Sequence, residues 1–111
     1  MDCIFCKIAA GAIPSTKVYE NELVYAFDDI SPQAPVHVLV IPKRHLVGLN
    51  DIDDAELWAA LLDGARTVAE LKGVKQTGYR LVVNCGEEGG QIVQHLHLHV
   101  LGGHRLADQM G

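Results

Sequence analysis

Residues 94–103, QHLHLHVLGG, set histidine on every second position with a leucine or valine in each gap. Side chains of an extended chain alternate between two faces, whereas a helix would scatter these residues around its axis. The run therefore predicts a strand. His95, His97 and His99 share one face, separated by roughly 6–7 Å per pair, and Leu96, Leu98 and Val100 share the other. Gly102 and Gly103 end it.

The rest of the chain supplies a sheet for that strand to join. KVYENE (residues 17–22) and LVYAFDD (23–29) read as two strands joined by a tight turn at Glu20, Asn21 and Glu22, because β-branched and aromatic residues fill them and turn formers separate them. ISPQAP (30–35) holds two prolines and reads as a loop, and VHVLVIP (36–42) as a third strand. Asp53 is the expected cap of a helix over residues 55–71, with Glu56 three positions on in the capping-box arrangement. Leu57, Leu61, Ala65 and Val68 form its core stripe; Trp58, Leu62 and Ala69 carry the apolar surface round a second side, which fits packing against a partner. Gly73 stops it. GYRLVVNC (78–85) and HLHLHVLGG (95–103) complete five strands, and the amino-terminal CIFCKIAAGAIPS (3–15) folds into short turns closed by Pro14. The order predicts an α+β fold: a five-stranded, mainly antiparallel sheet with one long helix and a short N-terminal helix, as one domain over residues 1–111.

Charge and composition narrow the function. A net charge of −5 argues against nonspecific binding of a nucleic-acid polymer, which needs a basic face, but not against a single nucleotide. No apolar run approaches the 18–20 or so residues that span a bilayer, and MDCIFCKIAAG lacks the basic-then-apolar order of a secretory signal. The expected location is cytoplasmic. Three cysteines make no closed disulfide framework, so Cys3-x-x-Cys6 suggests metal or redox chemistry, with Cys85 a buried free thiol.

Between the last two strands, GEEGGQ (86–91) contains Gly86, Gly89 and Gly90, which permit close backbone approach and inward-turned N–H groups, an anion-binding nest. Glu87 and Glu88 read as solvated carboxylates. An anion held there would lie against the imidazoles, which can act as nucleophile, acid, base or donor around a phosphoryl centre. The same three histidines could instead hold a catalytic zinc.

His95-Leu-His-Leu-His-Val-Leu101 is the histidine-triad pattern, and the chain resembles the HIT family, nearest its nucleotide-binding, phosphoramidase-like branch. IFCKI, AFDDISPQAPVHVLVIPKRH, GYRLVVN and GGQIVQHLHLHVLGG all stand in that family's order and spacing. The resemblance implies hydrolysis of purine nucleoside 5′-phosphoramidates through a nucleotidyl-histidine on His97, with no metal in the reaction. His99 would bind phosphoryl oxygens and His37 would orient the site. Asn84 and the backbone at Gly90, Gln91 and Val93 would hold phosphate, Asp29 the ribose, and Ile4, Phe5, Ile8, Phe27 and Ile30 the base. It implies a homodimer built on the long helix and GYRLVVN, and a structural zinc, one per chain, on Cys3, Cys6, His45 and His95. Dinucleoside polyphosphate hydrolysis, or a regulatory nucleotide binder with weak turnover, are the neighbouring readings. Ile92 stands where many of that branch have Ser or Thr, and the tail HRLADQMG is short and lacks an aromatic, so rate and leaving-group selectivity are expected to differ.

Overall fold

In the computed structural model, which describes residues 3–109, helix α1 (Ile4–Ala9) precedes a hairpin of β1 (Lys17–Glu20) and β2 (Val24–Asp28). Asn21 shapes the turn, its Oδ1 accepting from the N–H groups of Leu23 and Val24 at 2.9 Å each. Strand β3 (Val36–Pro42), helix α2 (Ala55–Leu71), β4 (Tyr79–Val83) and β5 (Leu98–Gly102) follow. All pairings are antiparallel and the strand order is β1-β2-β3-β5-β4, so the α+β fold with a five-stranded sheet, one long helix and a short amino-terminal helix is as expected.

Strands β1, β2 and β4 stop one or two residues short of the sequence reading at one or both ends, and two further boundaries differ. Helix α2 is capped by Asp54, whose Oδ1 accepts from the Glu56 N–H at 2.9 Å, while Asp53 forms an exposed ion pair with Arg44 at 3.1 Å. The last strand pairs only from Leu98. Its ladder with β3 ends at Val40↔Leu98, because the next residues on that side lead to Pro42, which has no N–H to donate. The Pro42 carbonyl is taken instead by the ring of His95, whose Nε2–H donates to it at 2.8 Å.

Each face of the sheet buries a separate core. On one, Val24, Ala26, Val38, Val40, Leu96, Leu98 and Val100 meet Leu57, Leu61, Ala65 and Val68 of α2. Gly64 brings the helix close, since a Cβ there would stand 3.3 Å from Val24 Cγ2 and 3.4 Å from Val40 Cγ1. Ala69 is buried as well, and Trp58 and Leu62, the half-buried second side, pack against the edge of this core. On the other face α1 lays Phe5 and Ile8 over Tyr25, Phe27, Leu39 and Ile41. Leucines 96 and 98 with Val100 thus face α2, and histidines 97 and 99 face the α1 side, as the period of two requires. Among the described residues no helix is long and apolar enough to cross a membrane.

Candidate active site and metal-type cluster

Each triad histidine has a different neighbourhood, and hydrogen bonds fix the proton on each ring. His95 is fully buried; with Nε2–H given to Pro42, its Nδ1 lone pair points to Cys3 Sγ at 3.2 Å, Cys6 Sγ at 3.5 Å and His45 Nδ1 at 3.2 Å. His97 gives its Nδ1–H to the carbonyl of His95 at 2.7 Å, so its Nε2 carries a free lone pair. His99 is set by a relay. The Gln33 N–H donates to His37 Nδ1 at 3.0 Å, which puts the His37 proton on Nε2, and that N–H donates to His99 Nδ1 at 2.9 Å. The remaining proton of a neutral His99 then sits on Nε2, a donor.

Burial lowers the pKa of His37, His95 and His99, favouring their neutral forms. It holds His99 down to about 4, helped by the neighbouring His97 and His37 rings, and it lowers His37 against the opposing pull of Asp29. Asp29 places Oδ2 at 3.5 Å from His37 Nε2 and uses Oδ1 to accept from the Ser31 N–H at 2.8 Å. His99 is therefore a neutral donor rather than an imidazolium.

The glycine loop is built for close approach. Gly86 and Gly90 have positive φ, and a Cβ on Gly89 would fall 2.4 Å from the Cys85 carbonyl oxygen. The N–H groups of Gly90 and Gln91 are spent inside the loop, on the carbonyls of Glu87 and Gly86 at 3.0 Å each. Ile92 and Val93 are the next N–H groups along the chain. Gln91 turns its side chain inward: Oε1 accepts from the Gly86 N–H at 3.0 Å and Nε2 donates to Val47 at 2.6 Å and Val93 at 3.1 Å. It braces the loop. Asn84 Nδ2 donates to the Gly89 carbonyl at 2.7 Å.

Of the five apolar residues expected to line a base site, Phe5, Ile8 and Phe27 are buried together, with the two phenyl rings edge-to-face at 5.5 Å. Ile4 is 50% exposed and Ile30 96% exposed, so these two offer the open apolar surface. Beyond His99 a hollow of about 210 Å³ is lined by Gln33, His37, Val82, Asn84, His99 and Leu101. The sequence reading did not select Gln33, Val82 or Leu101. Leu101 continues the histidine face at period two, but Val82 is placed only by its pairing with His99. Ile92 is 90% exposed, presenting an apolar side chain beside the loop. Cys85 is a free thiol but half-buried rather than buried.

The ligand atoms of Cys3, Cys6, His45 and His95 lie within 4.8 Å of one another. Tetrahedral zinc with bonds of about 2.0–2.3 Å separates its donors by about 3.3–3.8 Å, close to the contacts found here. Two thiols and two imidazole nitrogens, one ring already oriented by Pro42, can hold such an ion. Burial, with Cys3 alongside, pushes the Cys6 thiol up, so metal binding would displace its proton. A second group, Asp29, His37 and His99, has comparable spacing. There the His37 Nε2–H occupies the position a metal would need, because Nδ1 of that ring is already accepting from Gln33. Neither group contains two triad histidines.

The HIT domain family matches residues 10–106 of the chain. A purine nucleoside phosphoramidase of Escherichia coli (strain K12) is 41% identical over 111 residues, covering 98% of this chain and 93% of that protein. Among solved structures, a HIT family hydrolase from Legionella pneumophila superposes with a TM-score of 0.94 at 48% identity, covering 99% of this chain and 100% of that one. A histidine triad protein from Clostridium difficile gives 0.94 at 50%, covering 99% and 97%.

Proposed function

The chain belongs to the HIT domain family, and from that premise we propose that it is a nucleotide-binding hydrolase that cleaves purine nucleoside 5′-phosphoramidates through a nucleotidyl-histidine on His97. The observation that carries the reading is the pair of opposite tautomers on one face: His97 offers a lone pair where His99 offers an N–H. In the first step His97 Nε2 bonds to phosphorus and the P–N bond breaks, its electrons leaving on the amine, which takes up a proton. In the second, water attacks phosphorus, the histidine–phosphorus bond breaks, and a nucleoside monophosphate leaves with one proton released. His99 Nε2–H and the N–H groups of Ile92 and Val93 bear the phosphoryl oxygens, since positioning and charge stabilisation supply most of the catalysis in such transfers. Asn84, with Gly90 and Gln91 shaping the loop, completes the phosphate site; Asp29 takes the ribose, and Ile4, Phe5, Ile8, Phe27 and Ile30 the base.

Zinc on Cys3, Cys6, His45 and His95 belongs to this proposal as a structural ion, as do a homodimer and a single domain over residues 1–111. The exposed Ile92 supplies no hydroxyl to a leaving group, which favours slow turnover over the rates a polar residue there would allow.

Rapid-quench mass spectrometry with an adenosine 5′-phosphoramidate tests the reading. Wild type should accumulate an acid-labile adenylyl adduct on His97, and His97→Ala should lose the adduct and turnover together, by roughly 10³-fold or more, while still binding AMP. An adduct on another histidine, or near-normal turnover, would refute it.

A further inference from the structure

Helix α1 belongs to two clusters at once. Its cap Cys3 and first-turn Cys6 provide both thiols of the metal-type group, and Phe5, beside Cys6, and Ile8 belong to the proposed base site. Six residues make a helix too short to persist alone in water, where a costly nucleus is followed by few hydrogen bonds. Its order depends on its attachments. Those attachments also reach the nucleophile: the Phe5 ring stands edge-on to His95 at 5.9 Å and to His97 at 5.2 Å between ring centres. The main chain makes a second connection. His95 turns Nδ1 towards the two thiols and gives its carbonyl to His97 Nδ1–H, so one residue both serves the cluster and sets the tautomer of His97.

We infer that the Cys3–Cys6–His45–His95 cluster and the nucleotide site bind their ligands cooperatively, with Phe5 and His95 as the positioning residues that join them. The inference rests on the nucleotide reading of the triad. A divalent metal that draws Cys3, Cys6 and His95 together fixes α1 against the sheet and holds the His95 carbonyl under His97, leaving less to be ordered when a nucleotide arrives. Linkage then demands reciprocity: zinc raises AMP affinity by the same factor as AMP raises zinc affinity.

The probes are zinc and AMP. AMP binding is measured by calorimetry on zinc-loaded protein and on protein stripped by a chelator under reducing conditions; zinc binding is measured against a competing chelator with and without saturating AMP. The two factors should agree and reach about fivefold or more. Hydrogen exchange read by mass spectrometry should show that stripping exposes residues 3–13 and 93–97 while β2 and β3 stay protected. Phe5→Leu, which keeps an apolar side chain but removes the ring edge, should bring the factor towards one. His45→Ala, confirmed zinc-free by elemental analysis, should bind AMP as stripped wild type does. Equal AMP affinity with and without zinc overturns the coupling and leaves the nucleotide reading intact, whereas no AMP binding in either form overturns both. Loss of protection across the whole sheet on stripping also overturns it, because zinc would then act through global folding.

Discussion

His99, packed among the His37 and His97 rings, is held well below the ordinary imidazole range by burial. Its folded pKa near 4 lies below the ordinary 6.5, so between those values the unfolded chain binds more protons than the folded one. Stability must therefore rise with pH across that window: the contribution is complete above about 6.5 and is lost as pH falls towards 4. His37 moves in the same direction. Melting temperature should fall between pH 7 and 4.5, and His99→Asn should fall less steeply than wild type at matched zinc content; parallel curves would contradict the assignment. A second residue prediction concerns Gly89, where an added Cβ would meet the Cys85 carbonyl at 2.4 Å. Gly89→Ala must shift the loop, at a cost of about 1–3 kcal/mol in denaturant titration, and weaken AMP binding more than the substitution of a solvated loop residue such as Glu88→Ala.

At the level of elements, the two aspartates before α2 make opposite predictions. Asp54→Ala removes a cap and should cost about 1 kcal/mol, whereas Asp53→Ala removes one exposed ion pair and should stay within about 0.5 kcal/mol. Equal losses in urea titration would count against the assigned cap. This pair also shows where the sequence stops being legible. Either aspartate is a good cap, and only the backbone, extended at Asp54, decides which residue enters the helix. The existence of all five strands and both helices was readable, because alternation, turn formers and glycine stops are local properties. The histidine face was readable for the same reason. What could not be read depends on contacts across the chain: the loss of ladder pairing at Pro42, the inward turn of Gln91, and the hollow at Gln33, Val82 and Leu101, which exists only once β3, β5 and β4 are in register. The relay from Gln33 through His37 to His99 is a product of that register too.

The two edges of the sheet are unequal, and that difference bears on the whole molecule. β1 is four residues long, shifts register between Lys17 and Tyr19, and carries the charges of Lys17 and Glu20, devices that discourage pairing with another strand. β4 keeps an unbroken register and carries one charge, Arg80, whose guanidinium donates to the carbonyls of Ala107 and Gln109. Its five residues Tyr79–Val83 pair with β5 on one side only, none is fully buried, and Leu81 remains 38% exposed. Beside it runs a groove between α2 and β4 lined by Asp63, Arg66, Thr67, Glu70, Lys75 and Tyr79, a mixture of both charge signs that suits a self-complementary, two-fold contact. Two copies joined through β4, with Trp58 and Leu62 of α2 adjoining, would cover the open edge and the half-buried second side of the helix together. Sedimentation equilibrium at micromolar concentration should thus give the mass of two chains. Leu81→Asp sets a charge on each edge strand at the contact and should weaken association by at least about tenfold, since like charges face each other across the two-fold axis in a partly desolvated interface. Its monomer should retain the far-ultraviolet circular dichroism of wild type, because Leu81 lies outside the buried core. A single-chain mass for wild type would refute the dimer, and an unchanged dissociation constant for Leu81→Asp would move the interface away from this edge.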